Sequence, residues 1–266
     1  MPEVNAAHLI FAGALGLLFG SFLNVCIYRL PRDLSVVAPR SFCPECGVRI
    51  AWRDNIPLLS YALLGGSCRH CGKGIGVRYP LVEASLAGLL VATIWRYGWT
   101  GKGVKWAVFE AIMVALFWTD IEERLLPDEF TLGGTLAGLV IALFVMVPGA
   151  AGELLLPERR PFIRSLVNAA VAAFFIAGPV WFIGLAYSHL RKKEGLGLGD
   201  VKLLLLLGVF LGLEDGLLAL LIGAVAGSVL GLIYVRAMHK DAASYELPFG
   251  SFLCAGGALV PLLVKI

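Results

Sequence analysis

Charge is what this chain has least of. Only 15% of its 266 residues are Asp, Glu, Lys or Arg, and 59% are hydrophobic. Soluble domains carry about 25% charge and 45–50% apolar residues. That shortage excludes an ordinary soluble domain and makes the chain an integral membrane protein. No cleavable leader is expected either: the stretch MPEVNAAHLI has no basic region, and no small-residue cleavage site follows the first apolar run. That run is therefore expected to stay as a membrane span. The apolar runs lack the alternation that barrel strands need, so the spans are expected to be helices, which satisfy their own backbone hydrogen bonds. No repeat or low-complexity segment appears. The net charge of +3 is small, and no nucleic-acid partner is expected.

About 20 apolar residues cross a hydrocarbon core of roughly 30 Å. Eight segments qualify as candidates, near 8–28, 81–97, 103–120, 130–147, 164–188, 200–213, 216–236 and 248–264. The expected architecture is an all-α polytopic membrane protein of about eight transmembrane helices. Residues 1–28 form the first helix, 29–79 a small cytoplasmic domain inserted after it, and 80–266 a helical core. Cations set the orientation. Residues 29–79 carry Arg29, Arg32, Arg40, Arg49, Arg53, Arg69, Lys73 and Arg78, the 189–199 loop carries Arg191, Lys192 and Lys193, and Arg236 and Lys240 flank the last loop. With eight spans these loops share one side with loop 121–129. That side is placed in the cytoplasm and both termini outside. The 148–163 loop would lie outside, its Arg159 and Arg160 offset by Glu153 and Glu158.

Segment 29–79 holds Cys43-Pro-Glu-Cys46 and Cys68-Arg-His-Cys71, two C-x-x-C pairs 21 residues apart. Paired thiolates on tight turns are what tetrahedral zinc needs. Gly47 and Gly72 directly follow the pairs and suit the turns. Two disulfides or four free thiols are the alternatives, and a reducing cytoplasm argues against disulfides. His70 could replace one Cys, but four thiolates complete a closed shell, so the expected metal role is structural. Cys26 and Cys254 lie alone in apolar spans and read as packing.

Ionisable residues within spans are functional candidates by default. They are Glu83, Glu110, Asp120 and Asp200. The stretch from Val201 to Leu213 is about 20 Å of helix, short of the bilayer. With Glu214-Asp215 at the outer surface, Asp200 falls below the inner surface. Asp120 ends the third span on the same side. Two carboxylates that converge there resist double ionisation, so one can activate a water while the other donates a proton. The glycines of Gly195-Leu-Gly-Leu-Gly-Asp200 leave room for a substrate backbone. Each Asp also has a structural reading, Asp200 as an N-cap for a helix starting at Val201. Asp128, after Pro127, reads as a helix-start charge, and Glu83 as an ion-pair partner of Arg78. Glu110 needs a partner that the sequence does not name. A proton-coupled transporter would show repeated halves, which are absent, and an assembly scaffold would tolerate alanine at either Asp.

Several stretches together are similar to type IV prepilin peptidases, a family of GxGD-type intramembrane aspartyl proteases. They are Phe19-Gly-Ser-Phe-Leu-Asn-Val-Cys-Ile-Tyr-Arg-Leu-Pro31, Ser41-Phe-Cys-Pro-Glu-Cys46, Asn55-Ile-Pro-Leu-Leu-Ser-Tyr61, Cys68-Arg-His-Cys71, Arg78-Tyr-Pro-Leu-Val-Glu83, Thr119-Asp-Ile-Glu-Glu-Arg-Leu-Leu-Pro-Asp128 and Gly197-Leu-Gly-Asp-Val-Lys-Leu203. The resemblance implies an enzyme of the bacterial inner membrane with its active site facing the cytoplasm. Its substrates would be type IV prepilins and type II secretion pseudopilins, whose basic leaders it cuts off after a Gly. Its surroundings would be membrane lipid and the pilus or secretion assembly machinery. By the same resemblance Asp120 and Asp200 form the catalytic dyad. The four cysteines match the bifunctional members that also methylate the new N-terminal amine with S-adenosylmethionine. Asn24, Arg78 and Glu83 are candidates for holding that cofactor, each with a structural reading beside it.

Overall fold

The structure, a computed structural model, describes residues 4–191, 197–238 and 248–264. Gly195, Lys192, Lys193 and Lys240, which entered the sequence reading, lie outside the described residues. The described chain is helical, with two isolated β-bridges, Phe42 to Arg49 and Ser67 to Gly74. Its helices are α1 (Ala6–Arg29), α2 (Leu59–Leu63), α3 (Arg78–Tyr97), α4 (Gly101–Glu123), α5 (Asp128–Ala142), α6 (Ala151–Leu155), α7 (Pro161–Arg191), α8 (Leu198–Leu211), α9 (Leu213–Ala237) and α10 (Phe249–Leu263). A helix occupies each of the eight apolar segments, and α2 and α6 are short additions. By length and composition, Ala6–Arg32, Pro161–Leu190 and Leu213–Ala237 are long and apolar enough to cross a membrane, and Phe249–Leu263 is a shorter apolar helix.

The chain divides into two compact units, Met1–Trp118 and Thr119–Ile266. In the first, α1 starts at Asn5, whose side chain accepts from the His8 backbone N–H at 3.0 Å, satisfying a donor that a helix start leaves open. Small residues then set the packing. A Cβ on Gly16 would come within 2.5 Å of Ala87 Cα, and one on Gly20 within 2.7 Å of Glu83 Cα. Backbone therefore lies against backbone where α1 meets α3, as small residues allow between apolar helices. At the end of α1, the buried Arg29 donates to the Ser35 and Pro39 carbonyls at 2.8 and 2.7 Å, tying down the start of the polar segment.

In the second unit α8 is the central element. Leu203, Leu204 and Leu206 to Leu211 are all buried. Val209 joins Ala142, Val147, Ala169 and Ala173 in one core cluster. A Cβ on Gly208 would come within 2.6 Å of Ala173 Cα, so α7 and α8 also touch along their backbones. The connection between α5 and α7 carries α6 and most of the 148–163 loop, whose last three residues already belong to α7, and it is held by two buried side chains of α7. Ser165 Oγ accepts from the Val147 N–H at 3.0 Å. Asn168 accepts from the Gly152 N–H at 2.6 Å and donates to the Val147 carbonyl at 3.1 Å.

Candidate active site

α8 begins two residues before Asp200. Gly197 is its N-cap and Asp200 lies inside the first turn, so Asp200 does not cap a helix that starts at Val201. The 14 residues of α8 span about 21 Å, and Gly212, at φ 82°, turns the chain directly into α9. The start of α8 is thus at one end of a short buried helix. Asp120 lies near the end of α4, which stops where Arg124 takes a left-handed φ of 53°.

These two helix ends meet the start of α10. Asp120 Oδ2 accepts two hydrogen bonds from Ser251, from the backbone N–H at 2.6 Å and the hydroxyl at 2.7 Å. A Cβ on Gly250 would stand 3.1 Å from Asp120 Cγ and Oδ2 and from Leu126 Cδ1. A Cβ on Gly199 would stand 3.4 Å from the same Leu126 carbon. Leu126 is therefore lodged between the glycine beside Asp200 and the glycine beside Asp120. The Asp120 and Asp200 carboxylates lie within electrostatic range of each other, and Cys254, one turn along α10 and buried, lies within range of both. Asp200 accepts no side-chain hydrogen bond from the described residues. Asp128, in the first turn of α5, pairs with Lys202 Nζ at 2.6 Å. Both members are substantially exposed, so the bridge contributes little stability.

Ser251 and Gly250 were not singled out by sequence. Their signal is faint: Pro248 stops a chain just before a helix that carries a small polar residue in its first turn. Glu110 is fully buried in α4, and among the described residues neither of its carboxyl oxygens has a hydrogen-bond partner, nor does Trp106 Nε1, one turn away.

In the first unit the Sγ atoms of Cys43, Cys46, Cys68 and Cys71 all lie within 4.8 Å of one another. Gly47 and Gly72 both adopt φ 68°, the left-handed turn that glycine takes without penalty. The Gly47 N–H reaches back to the Cys43 carbonyl at 2.8 Å and the Gly72 N–H to the Cys68 carbonyl at 2.9 Å. The two knuckles are therefore copies of one turn. Backbone N–H groups of Cys71 and His70 point at Cys68 and bring its thiol down to about 6. Nearby, Arg69 grips Asp54 through two bonds of 2.9 and 2.7 Å, which holds the Asp54 carboxyl below the usual range.

A cavity of about 240 Å³ lies between this lobe and the helices α1 and α3. Asn24 and Glu83 line it, and Arg78 does not; the Arg78 guanidinium stacks over the Tyr79 ring at 4.5 Å. Glu83, expected to pair with Arg78, has Oε2 on the Leu58 N–H at 2.8 Å.

Asp120, buried, and Asp200, half-buried, sit at separate helix ends, the donor types of an aspartyl-type site, and the four-cysteine lobe elsewhere in the chain could hold a metal ion. Residues 14–97 match the bacterial peptidase A24 N-terminal domain, and residues 107–232 match the type IV leader peptidase family. The chain belongs to the type IV leader peptidase family. Among its relatives, the prepilin leader peptidase/N-methyltransferase of Xanthomonas campestris pv. campestris is 35% identical, over 94% of this chain and 89% of that protein. Proteins of the same name are 34% identical in Pseudomonas putida, over 97% of this chain and 91% of that one, and 32% identical in Pseudomonas aeruginosa, over 91% and 86%. No solved structure matches the chain.

Proposed function

We propose that the protein removes the basic leader from type IV prepilins and type II secretion pseudopilins, cutting after Gly at the cytoplasmic face of a bacterial inner membrane. It then methylates the new N-terminal amine with S-adenosylmethionine. The observation that carries the protease half is the meeting of Asp120 and Asp200 around Leu126, with Ser251 fixing one carboxylate. About eight helices cross the membrane, with both termini outside, and the assembly machinery receives the product.

The substrate's apolar helix lies in the membrane and its basic leader stays in the cytoplasm. Its cut site therefore arrives near the inner surface, the depth of both helix ends. Glycine at that position eases local opening of the substrate helix, which exposes the carbonyl. The pair holds one proton between two carboxylates and titrates as a unit. The ionised member takes a proton from water as it attacks the Gly carbonyl, and the protonated member delivers its proton to the leaving amine. The Ser251 bonds orient Asp120 by one oxygen and leave the other for this exchange.

The four cysteines hold a structural zinc ion. Tetrahedral zinc with bonds near 2.3 Å needs sulfurs roughly 3.8 Å apart, and the Cys43 and Cys71 sulfurs are 3.9 Å apart. For the methyl donor, the fit lies in the same cavity of the first unit, which Asn24 and Glu83 line and where Tyr28, Phe42 and Tyr61 offer aromatic surface. When bound, the donor supplies a methyl group on a positively charged sulfur.

The purified protein, given a synthetic prepilin and S-adenosylmethionine, is expected to yield a peptide lacking its leader and heavier by one methyl group. An intact peptide on mass spectrometry would refute the proposal. A second expected outcome concerns Gly250→Ala. The added Cβ has to displace Asp120 or Leu126, and misplacement of that kind costs roughly ten- to a hundredfold in rate. Gly88→Ala, whose Cβ meets nothing within 4 Å, is expected to cleave normally. Cleavage assays on both variants check this; equal rates would count against the placing of Asp120.

A further inference from the structure

We infer that the cavity of the first unit receives the amine to be methylated, with Asn24 Oδ1 and Glu83 as the groups that hold and deprotonate it. The inference rests on the methyltransferase half of the proposed function.

Three observations carry it. First, Asn24 is 3% exposed, and its Nδ2 donates to the Tyr79 carbonyl at 3.0 Å and the Gly20 carbonyl at 3.4 Å. Both partners are acceptors, so the amide can be oriented only one way. Its oxygen is left buried with no donor among the described residues, and Asn24 is one of the residues that line the cavity. A buried acceptor without a donor is costly and calls for an explanation. Second, Glu83 is 7% exposed and lines the same cavity. Third, its backbone donor is the N–H of Leu58, which sits at φ 58°, ψ −47°. That conformation is unfavourable for leucine, and strain of this kind collects at ligand sites.

The α1–α3 contact places the two residues at neighbouring turns of the same seam. Gly20 lies against Glu83, and Asn24, one turn further along α1, bonds to Tyr79, one turn back along α3. The cavity lining thus combines a neutral amide and a carboxylate, and Ser21 belongs to the same lining. That combination suits a primary ammonium, which brings N–H donors and positive charge.

The chemistry follows. A protonated amine gives one proton to the Glu83 carboxylate while a second N–H stays on Asn24 Oδ1. The freed nitrogen lone pair forms a bond to the methyl carbon. The carbon–sulfur bond breaks, its electron pair stays on sulfur as a neutral thioether, and the nitrogen becomes a methylated secondary ammonium. The methyl donor's own amino-acid end carries an ammonium too, and the binding arm of the test separates these two sources.

The test is Glu83→Gln in the full-length protein, with a peptide already lacking its leader. At pH 7 methylation is expected to fall at least about a hundredfold, the usual worth of a general base. Calorimetric affinity for S-adenosylhomocysteine is expected to stay within about threefold. Leader removal and zinc content are expected to match the wild type, which shows that the variant has folded. The variant's residual rate is expected to climb close to tenfold per pH unit up to about pH 8, where a free α-amine loses its proton unaided. Wild-type methylation by Glu83→Gln, or a low rate flat with pH, would overturn the inference. So would a tenfold or larger loss of S-adenosylhomocysteine affinity, since Glu83 would then serve the methyl donor. A wild-type protein that neither binds S-adenosylhomocysteine nor methylates would sink the functional reading itself.

Discussion

Asparagine at either Asp120 or Asp200 is expected to lower leader removal by about a thousandfold or more, within the range that loss of a general acid or base produces. The substitution keeps the shape of the side chain and removes the ability to exchange a proton. At position 120 the amide oxygen can still accept both Ser251 bonds, so the start of α10 keeps its anchor. Methylation of a peptide that already lacks its leader is expected to proceed in both variants, because the residues proposed for methyl transfer belong to the other compact unit. Rates of both reactions on the same preparations check this. Near-normal cleavage by either variant would remove that carboxylate from the mechanism. The scaffold reading, by contrast, expects both substitutions to be harmless.

Metal removal is the second large effect. Between Ser41 and Gly76 the chain has two isolated bridges, one short helix and one turn of 3-10 helix. Its apolar residues are largely exposed, with Trp52 at 79% and Leu63 at 76%. Such a segment has no apolar core of its own, so the four thiolates are its principal tie. Structural zinc contributes about 10–16 kcal/mol in small peptides at neutral pH, more than the rest of the lobe can supply. Chelation, or serine at Cys43 and Cys68 together, is expected to unfold this lobe and open the cavity it walls. Methylation should fall at least about a hundredfold and further than cleavage does. Metal analysis should give about one zinc per chain before treatment, and amide exchange across residues 41–76 should rise sharply after it. Unchanged exchange in metal-free protein would contradict a structural role.

The parts that were legible in sequence are those whose signals are local. An apolar run of membrane length must satisfy its backbone internally, so each of the eight segments became a helix. The cysteine pairs and the glycines after them carry their geometry within five residues, and both knuckles formed as the spacing implied. The surroundings of Asp120 were not legible for the opposite reason. Its partner Ser251 lies 131 residues away, and nothing near either residue encodes the other. Glu83 illustrates the same limit. The sequence offered Arg78, five residues off, whereas the structure supplies the Leu58 N–H from across a loop. Asn24 could be seen as a polar residue in an apolar helix. Its unpartnered oxygen became visible only once Gly20 had brought α1 against α3.

Asp120 and Asp200, acting as one proton-sharing pair, are the central claim, and a double-mutant cycle on leader removal tests it most directly. Groups that work as a unit lose their function together, so each single asparagine variant and the double variant should fall to one common floor. If instead the two losses multiply, with the double variant far below either single one, the carboxylates act independently and no shared water joins them.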